Sequence, residues 1–308
     1  MLAVFLLFSQ PVLMQQAEVL RSTNSKAHPV TIVSEPKSII WIDGVRYGTT
    51  DESGRFSARA VPLRSHVIRV RADGFKEVSK TFPASHKADY AVPLTVRADE
   101  AELAFQEAER LSSQDREKAA AAYNNALKLR PRYPEALIGL ARIYSDTGDH
   151  EKAEKAVRDA RRLRPGYAEA SAIEGRIQKE SGDEEKAIAM FKRAIAEGKG
   201  FQPEAYTGLG LLFKERAEAA ASSADYQAET ENYNEAAKYL STAVTQLGSS
   251  PDAMVIAQIL GLIHERQKNY KEAISVYEEL LRNFPDSSES TAVRSFIDQI
   301  RKQMNPPK

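Results

Sequence analysis

The sequence predicts a multidomain β + α protein: a small N-terminal β-sandwich followed by an α-helical superhelix of the α-solenoid kind. Three observations carry that expectation. Up to about Val96, β-branched residues alternate with polar ones and prolines and glycines recur, the mark of short strands joined by turns. Beyond it, alanine, glutamate and lysine dominate at helical spacing, so an all-β unit gives way to an all-α one. The helical half then repeats at about 34 residues. A chain of 308 residues has room for both units.

The first element is an apolar run, Met1 to Phe8, broken by Pro11 and followed by Gln15, Gln16 and Ala17. A short apolar core, a breaker and a small residue are the layout of a secretory signal peptide, here over 1–17. The run is far below the roughly 20 residues that span a bilayer. No Lys or Arg precedes it, and Gln15 is an unusual residue at the third place before a cut after Ala17. A buried N-terminal strand or helix is the competing reading. Residues 18–27 are polar and read as a linker. The chain is therefore expected to be exported, to the periplasm or cell envelope of a bacterium, with no integral membrane span after signal removal. The absence of cysteine fits an oxidising compartment. It also removes disulfides, thiolate metal sites, cysteine nucleophiles and a lipidated cysteine.

Residues 28–97 carry the strands. Pro29 to Ser34 alternates and meets Pro36; Ser38 to Ile42 stops at the turn dipeptide Asp43-Gly44. Arg46-Tyr47-Gly48 leads to the loop Thr49 to Gly54, and Arg55 to Arg59 forms a short strand with Phe56 on one face. Ser65 to Arg71 is the clearest strand: His66, Ile68 and Val70 share one face, and Val67, Arg69 and Arg71 the other. Asp73-Gly74 turns the chain into Phe75 to Phe82, and Asp89 to Val96 supplies the last strand. Ser34-x-Pro36, Ile40-x-Ile42-Asp43-Gly44, Gly48-Thr49-Thr50, His66-x-Ile68-x-Val70 and Gly74-Phe75 together resemble a PEGA domain, a small β-sandwich of bacterial surface and envelope proteins. Lys37-Ser38 stands where that family has its Gly-Ala pair. Thr50 to Phe56 is also similar to the regulatory sandwich beside carboxypeptidases. Either resemblance implies a non-catalytic unit.

In the helical half the cleanest copy runs from Pro134 to Pro165. Leu137, Leu140, Ala141 and Tyr144 form one apolar face; Gly148-Asp149 makes a turn; Ala153, Val157 and Ala160 form the second face. Small Ala141 and Ala153 let two antiparallel helices approach closely. This pattern resembles the tetratricopeptide repeat (TPR). Gly175, Gly182-Asp183, Ala187, Phe191 and Ala194 repeat it, as do Tyr206, Leu209, Gly210, Phe213, Ala236, Leu240 and Ala243. Leu260, Gly261, Tyr270, Ala273, Tyr277, Leu280 and Pro285 repeat it again. Upstream, Ala119, Tyr123, Ala126 and Pro131 give a second helix with a degenerate first one over Asp99 to Leu111. About five repeats are expected over 98–287, then a capping helix over 288–304 with Ala292, Phe296, Ile297 and Ile300 facing inward. The fourth repeat is long: Phe213 to Ala236 spans 23 residues where Tyr144 to Ala153 spans nine. Its hairpin is expected to protrude by about two turns per helix, carrying Glu218, Asp225, Glu229 and Glu231. It is either a solvated extension or a docking protrusion.

Catalytic constellations are missing: there is no HExxH, GxSxG or GxxxxGK[ST]. Gly208-Leu209-Gly210 falls inside a repeat helix and reads as packing. His28, His66, His86, His150 and His264 show no ligand spacing. No catalytic residue, metal site or cofactor is expected, and the chain is read as no enzyme. Forty-three basic residues cancel 43 acidic ones, which argues against nucleic acid as a partner. Trp41 is either core or, if exposed with Tyr47, a sugar-binding platform.

The TPR resemblance implies a superhelix whose concave groove, lined by the first helix of each repeat, takes other proteins or peptides. The groove candidates are the polar residues of those helices not needed for packing: Arg142, Ser145, Asp146, Arg176, Lys179, Glu180, Lys214, Glu215, Gln258, Glu265 and Arg266. Some TPR proteins clamp a C-terminal carboxylate with Lys and Asn on adjacent first helices; Ile138 and Ala172 stand where that clamp needs polar groups. The sequence thus points to a non-catalytic envelope scaffold. The alternative is a cell-wall or carbohydrate binder acting through the sandwich, with the repeats as a spacer.

Overall fold

The computed structural model describes residues 27–83, 89–96 and 99–304. The signal-peptide expectation and all but the last residue of the linker fall outside them. Nine strands and eleven helices are present among the described residues.

Strands β1 (Ala27–Val33), β2 (Ile39–Ile42), β3 (Val45–Thr49), β4 (Arg55–Pro62), β5 (His66–Arg71), β6 (Phe75–Lys76), β7 (Val78–Phe82), β8 (Tyr90–Ala91) and β9 (Thr95–Val96) form three sheets. Their orders are β4-β1-β8, β3-β2-β5-β7 and β6-β9. Period-2 alternation makes the first two a sandwich. Val30, Ile32, Ala58 and Val61 from one sheet meet Ile40, Ile42, Ile68, Val70 and Phe82 from the other. The β2–β3 turn has two positive φ angles, at Asp43 (51°) and Gly44 (86°), as a tight hairpin requires. The Asp43 carboxylate accepts from the Val67 amide at 2.8 Å, pairs with a buried His66 ring nitrogen at 2.7 Å and meets Arg64 at 2.5 Å. Burial opposes ionisation of Asp43, but these contacts outweigh it and hold its carboxyl below the usual range. Ser38 and Thr50, both buried, are satisfied around the Glu35 carbonyl, which accepts from each hydroxyl at 2.7 Å.

The outer face of β5 behaves differently from a solvated one. Val67 is half exposed (49%), yet Arg71 is buried (2%). Trp41 pairs across the sheet with Arg69 on this same outer face. It is buried (6%), but under the guanidinium groups of Arg69 and Arg71, at 4.1 and 5.0 Å, rather than in the sandwich core. The cause is a helix laid over that face.

The helices are α1 (Glu100–Leu111), α2 (Arg116–Leu129), α3 (Pro134–Asp146), α4 (His150–Leu163), α5 (Ala168–Glu180) and α6 (Glu184–Glu197). They continue as α7 (Pro203–Ser222), α8 (Tyr226–Leu247), α9 (Pro251–Arg266), α10 (Tyr270–Asn283) and α11 (Ser290–Met304). Consecutive helices pack as five antiparallel hairpins, and α11 closes the array on α10. The local chemistry alternates. Proline opens the first helix of three hairpins, at Pro134, Pro203 and Pro251, where its missing N–H costs nothing. Aspartate caps the second helix of four, at Asp115, Asp149, Asp183 and Asp225, each accepting an amide of the first turn. The intervening turn needs a left-handed residue, supplied by Gly148 (φ 76°) and Gly182 (φ 80°). In the last two hairpins Ala224 and Lys268 adopt the same conformation, both at φ 59°.

Within hairpins the helices meet at small residues. Ala141, Ala153 and Ala160 are fully buried around Val157. A Cβ on Gly175 would stand 2.7 Å from the Phe191 ring, and one on Gly261 2.3 Å from Tyr277. Gly210 presses on Leu240 of the fourth hairpin in the same way, at 2.5 Å, and Gly208 presses across to Phe191 of the third hairpin, at 2.3 Å. The fourth hairpin is longer, with helices of 20 and 22 residues against 13 and 14 in the third. The inward stripe of α11 is Val293, Ile297 and Ile300. This corrects the expectation for Ala292 and Phe296, which are exposed: they stand one residue before Val293 and Ile297, about 100° around the helix.

The two units touch at both ends of the helical array. Arg71 reaches Glu109 of α1 at 3.4 Å and stacks on Phe105 at 4.6 Å; Gln106 bonds the Phe75 carbonyl at 2.9 Å. Far along the chain, Gly248 lies against the Tyr47 hydroxyl, Ser249 accepts from the Ala60 amide at 3.3 Å, and Arg59 pairs with Asp286 at 3.0 Å.

Candidate functional site

The first helices of hairpins two, three and four, α3, α5 and α7, lie side by side. Their polar residues form a ladder of cross-helix ion pairs. Arg142 donates twice to Glu204, at 2.7 and 3.1 Å, passing Glu169 at 4.0 Å. Arg176 pairs with Asp146 at 3.2 Å, and Lys179 with Glu215 at 2.7 Å. Ser145 is buried with its hydroxyl 3.4 Å from Glu180, which also lies 3.8 Å from His150. Lys214 pairs with Glu218 at 2.7 Å within its own helix. On the last hairpin Glu265 accepts from the Tyr277 hydroxyl at 2.6 Å, Arg266 meets Glu229 at 3.3 Å, and Gln258 is half-buried. The candidates from Arg142 to Glu215 thus fall into separate small groups, three of which bridge first helices through Arg142–Glu204, Arg176–Asp146 and Lys179–Glu215. Glu265 and Arg266 stand apart from these, tied to α10 and to the long α8.

Reading the groove from polar residues misses two things. One is apolar. Val255 and Leu262 are more than half exposed (53% and 54%) and share the α9 face with Gln258 by their three- and four-residue spacing. That spacing was readable. The other is a cavity of about 760 Å³ between the β unit and the first three hairpins. Asp43, Arg69, Arg71 and Glu77 line one side, and Glu102, Arg130, Tyr133, Arg142, Arg164, Tyr167 and Glu169 the other. No sequence pattern announces it, because it exists only where two units meet.

The cavity walls are charged and mutually paired. Arg71 donates to Glu77 at 2.5 and 2.8 Å, Arg130 pairs with Asp99 at 2.6 Å, Tyr133 donates to Glu102 at 2.9 Å, and Arg164 bonds Glu135. Burial pushes the Glu169 carboxyl up, against the pull of Arg142. Burial, then the neighbouring Glu102, raises the Tyr133 hydroxyl. Arg142 is held more firmly protonated: Glu204 and Glu169 overcome the burial that opposes its charge. Such a wall suits a polar, zwitterionic surface rather than a hydrocarbon. Among the described residues no group of three or more His, Asp or Glu is placed to hold a metal ion, and no helix is long and apolar enough to cross a membrane.

Residues 110–177 and 222–288 each match a tetratricopeptide-repeat family model. No curated protein matches the chain. Among solved structures, the chain resembles the yeast Tom70 (18% identity, TM-score 0.52), covering 67% of this chain and 41% of that one. It also resembles the APC/C hetero-tetramer Cut9-Hcn1 (16% identity, TM-score 0.50), covering 67% of this chain and 37% of that one. The chain therefore spans less than half of either structure's chain, and at these identities the likeness concerns the fold.

Proposed function

We propose, from a helical half built of tetratricopeptide repeats, that this chain is a non-catalytic scaffold of the bacterial cell envelope that binds partner proteins or peptides through the concave side of the array. Tetratricopeptide repeats are in general protein-interaction scaffolds. The observation that carries the reading is the exposed apolar pair Val255 and Leu262, set beside the polar candidates of α9. Exposed large apolar side chains grouped on one face mark docking surfaces. The groove candidates further back, Arg142 to Glu215, offer charges already balanced against one another, which favours selection by register over bulk attraction.

Two observations support this reading over a carbohydrate-binding sandwich. Trp41 and Tyr47 are both buried (6% and 5%), so neither presents a ring to a sugar. The PEGA resemblance gains support from Lys37: its φ of 59° is the conformation that favours glycine, the residue the family has at that place. That resemblance, with the apolar run at the N-terminus, is the basis for the envelope assignment.

The test compares partners recovered from envelope extract by the full chain and by a Val255→Glu/Leu262→Glu variant. Both positions are exposed, so the fold should be unaffected. A specific set of proteins retained by the native chain and lost by the variant is the expected result. An identical set for both, or none for either, overturns the reading. N-terminal sequencing from the native host tests export; an intact Met1 in the cytoplasmic fraction sinks it.

A further inference from the structure

We propose that the cavity between the β unit and the first three hairpins binds a short peptide with both termini free, its ammonium at Glu169 and its carboxylate at Arg69. The volume, about 760 Å³, is that of a small-ligand site. Six acidic and five basic side chains line it. That near balance disfavours a lone anion or a lone cation and suits a molecule carrying both charges. Most of the lining groups are satisfied by one another, as Arg71 is by Glu77, Tyr133 by Glu102 and Arg164 by Glu135. Among the described residues, four polar lining side chains make no hydrogen bond: Arg69 and Ser79 on the β side, Tyr167 and Glu169 on the helical side.

These four fall into two facing pairs. Arg69 and Ser79 are cross-strand partners on β5 and β7, so their side chains share the outer face of the sheet. The ion pair from Arg69 to Glu77 is 3.5 Å long, and Glu77 already accepts two bonds from Arg71. Tyr167 and Glu169 stand two residues apart where α5 begins. Tyr167 is 8% exposed. Burial, then Glu169, keeps its hydroxyl protonated, so it is a buried donor with no acceptor among the described residues, a costly arrangement unless a ligand supplies one. Glu169 lies 4.0 Å from Arg142, whose guanidinium is committed to Glu204. Burial pushes the Glu169 carboxyl up, Arg142 pulls it down and Glu204 adds to the rise. A cation beside Glu169 would reverse that rise. A peptide answers each group. Its N-terminal ammonium supplies the cation that Glu169 lacks, the adjoining carbonyl accepts from Tyr167, and the carboxylate meets Arg69 and Ser79 on the facing wall. Val67, Phe105 and Ile138 also line the cavity and suit apolar side chains. Val255 and Leu262 take no part in it, so this site goes beyond the proposed docking face.

Isothermal titration calorimetry on the full chain tests the assignment with tri-alanine as the probe. Its N-acetylated form, its C-terminal amide and free alanine are the comparisons. Tri-alanine should bind, and blocking either end should weaken it about tenfold or more, the effect of losing a charge-assisted hydrogen bond. Alanine, without a peptide carbonyl or the reach between the walls, should bind more weakly than tri-alanine. Glu169→Gln should remove the difference between free and acetylated peptide, and Arg69→Gln that between acid and amide. Tyr167→Phe should weaken all three peptide forms alike. Helical circular dichroism confirms that each variant is folded, and the blocked peptides carry the test on the native chain alone. No heat from tri-alanine at millimolar concentration, equal binding of the blocked forms, or alanine binding as tightly as tri-alanine overturns the proposal. The titration involves no partner protein, so its failure leaves the docking reading standing, and loss of that reading leaves this site standing.

Discussion

Ala153 has no exposed surface, and Glu151, two residues earlier on the same helix, is exposed. Replacing each with leucine adds the same side chain in two places. Ala153→Leu forces three extra heavy atoms into the contact with Val157 and Ala141, and overpacking of that kind costs about 1–3 kcal/mol. Glu151→Leu is a surface change worth less than about 0.5 kcal/mol. Thermal melting of both variants checks the contrast; equal melting temperatures would show that the register is misplaced. The same residue-level logic recurs without alanine. At Gly175 and Gly261 the partner is an aromatic ring, Phe191 or Tyr277. A large ring on the second helix thus pairs with a vanishing side chain on the first. These pairings were legible, because size alternation at fixed spacing is written directly in the sequence. The burial of Arg71 and the outer-face position of Trp41 were not. Both depend on α1 covering β5, a contact between segments with no shared period.

At the scale of elements, four of the five second helices rest on an aspartate cap. Asp183 accepts the Lys186 amide at 3.2 Å and pairs with the Lys186 side chain at 2.6 Å. Asn269 holds the matching place in the last hairpin without a side-chain capping bond. Asp183→Ala should therefore cost about 0.5–2 kcal/mol, whereas Asn269→Ala should lie within about 0.5 kcal/mol of the parent. Denaturant midpoints at constant slope measure both; a larger loss at Asn269 would contradict the capping assignment. Element boundaries were readable for this reason: proline before first helices and Gly-Asp before second ones punctuate the chain. The α11 stripe was misjudged by one residue because Ala292, Val293, Phe296 and Ile297 offer two overlapping apolar spacings, and only packing on α10 chooses between them. The length of the fourth hairpin was also readable, from the spacing of Phe213 and Ala236. That α9 lies along its outer part, with Arg266 on Glu229 and Gln267 on Asn234 at 2.8 Å, was not.

At the scale of the whole molecule, the boundary near residue 97 separates two compositions without separating two independent bodies. The composition change says which residues become strand and which helix. It says nothing about the Arg71 bridge, since an arginine on a strand looks like a solvated one. Removing the β unit strips α1 of its cover over Phe105 and leaves Glu109 without Arg71. The fragment 98–308 should keep strongly helical circular dichroism, because nearly all hairpin contacts lie within it. Its melting temperature should nevertheless fall below that of the helical signal in the full chain. The bridge sets the size of the effect. Breaking a fully buried ion pair costs about 3–5 kcal/mol, but Glu77 and Glu109 keep 24% and 30% of their side chains exposed, so solvent screening brings the loss below that range. Arg71→Met in the full chain, which keeps the apolar stem between Trp41 and Phe105, should reproduce part of the drop. A fragment melting at the parent temperature, with Arg71→Met also unchanged, would mean that the two units rest against each other without contributing to each other's stability.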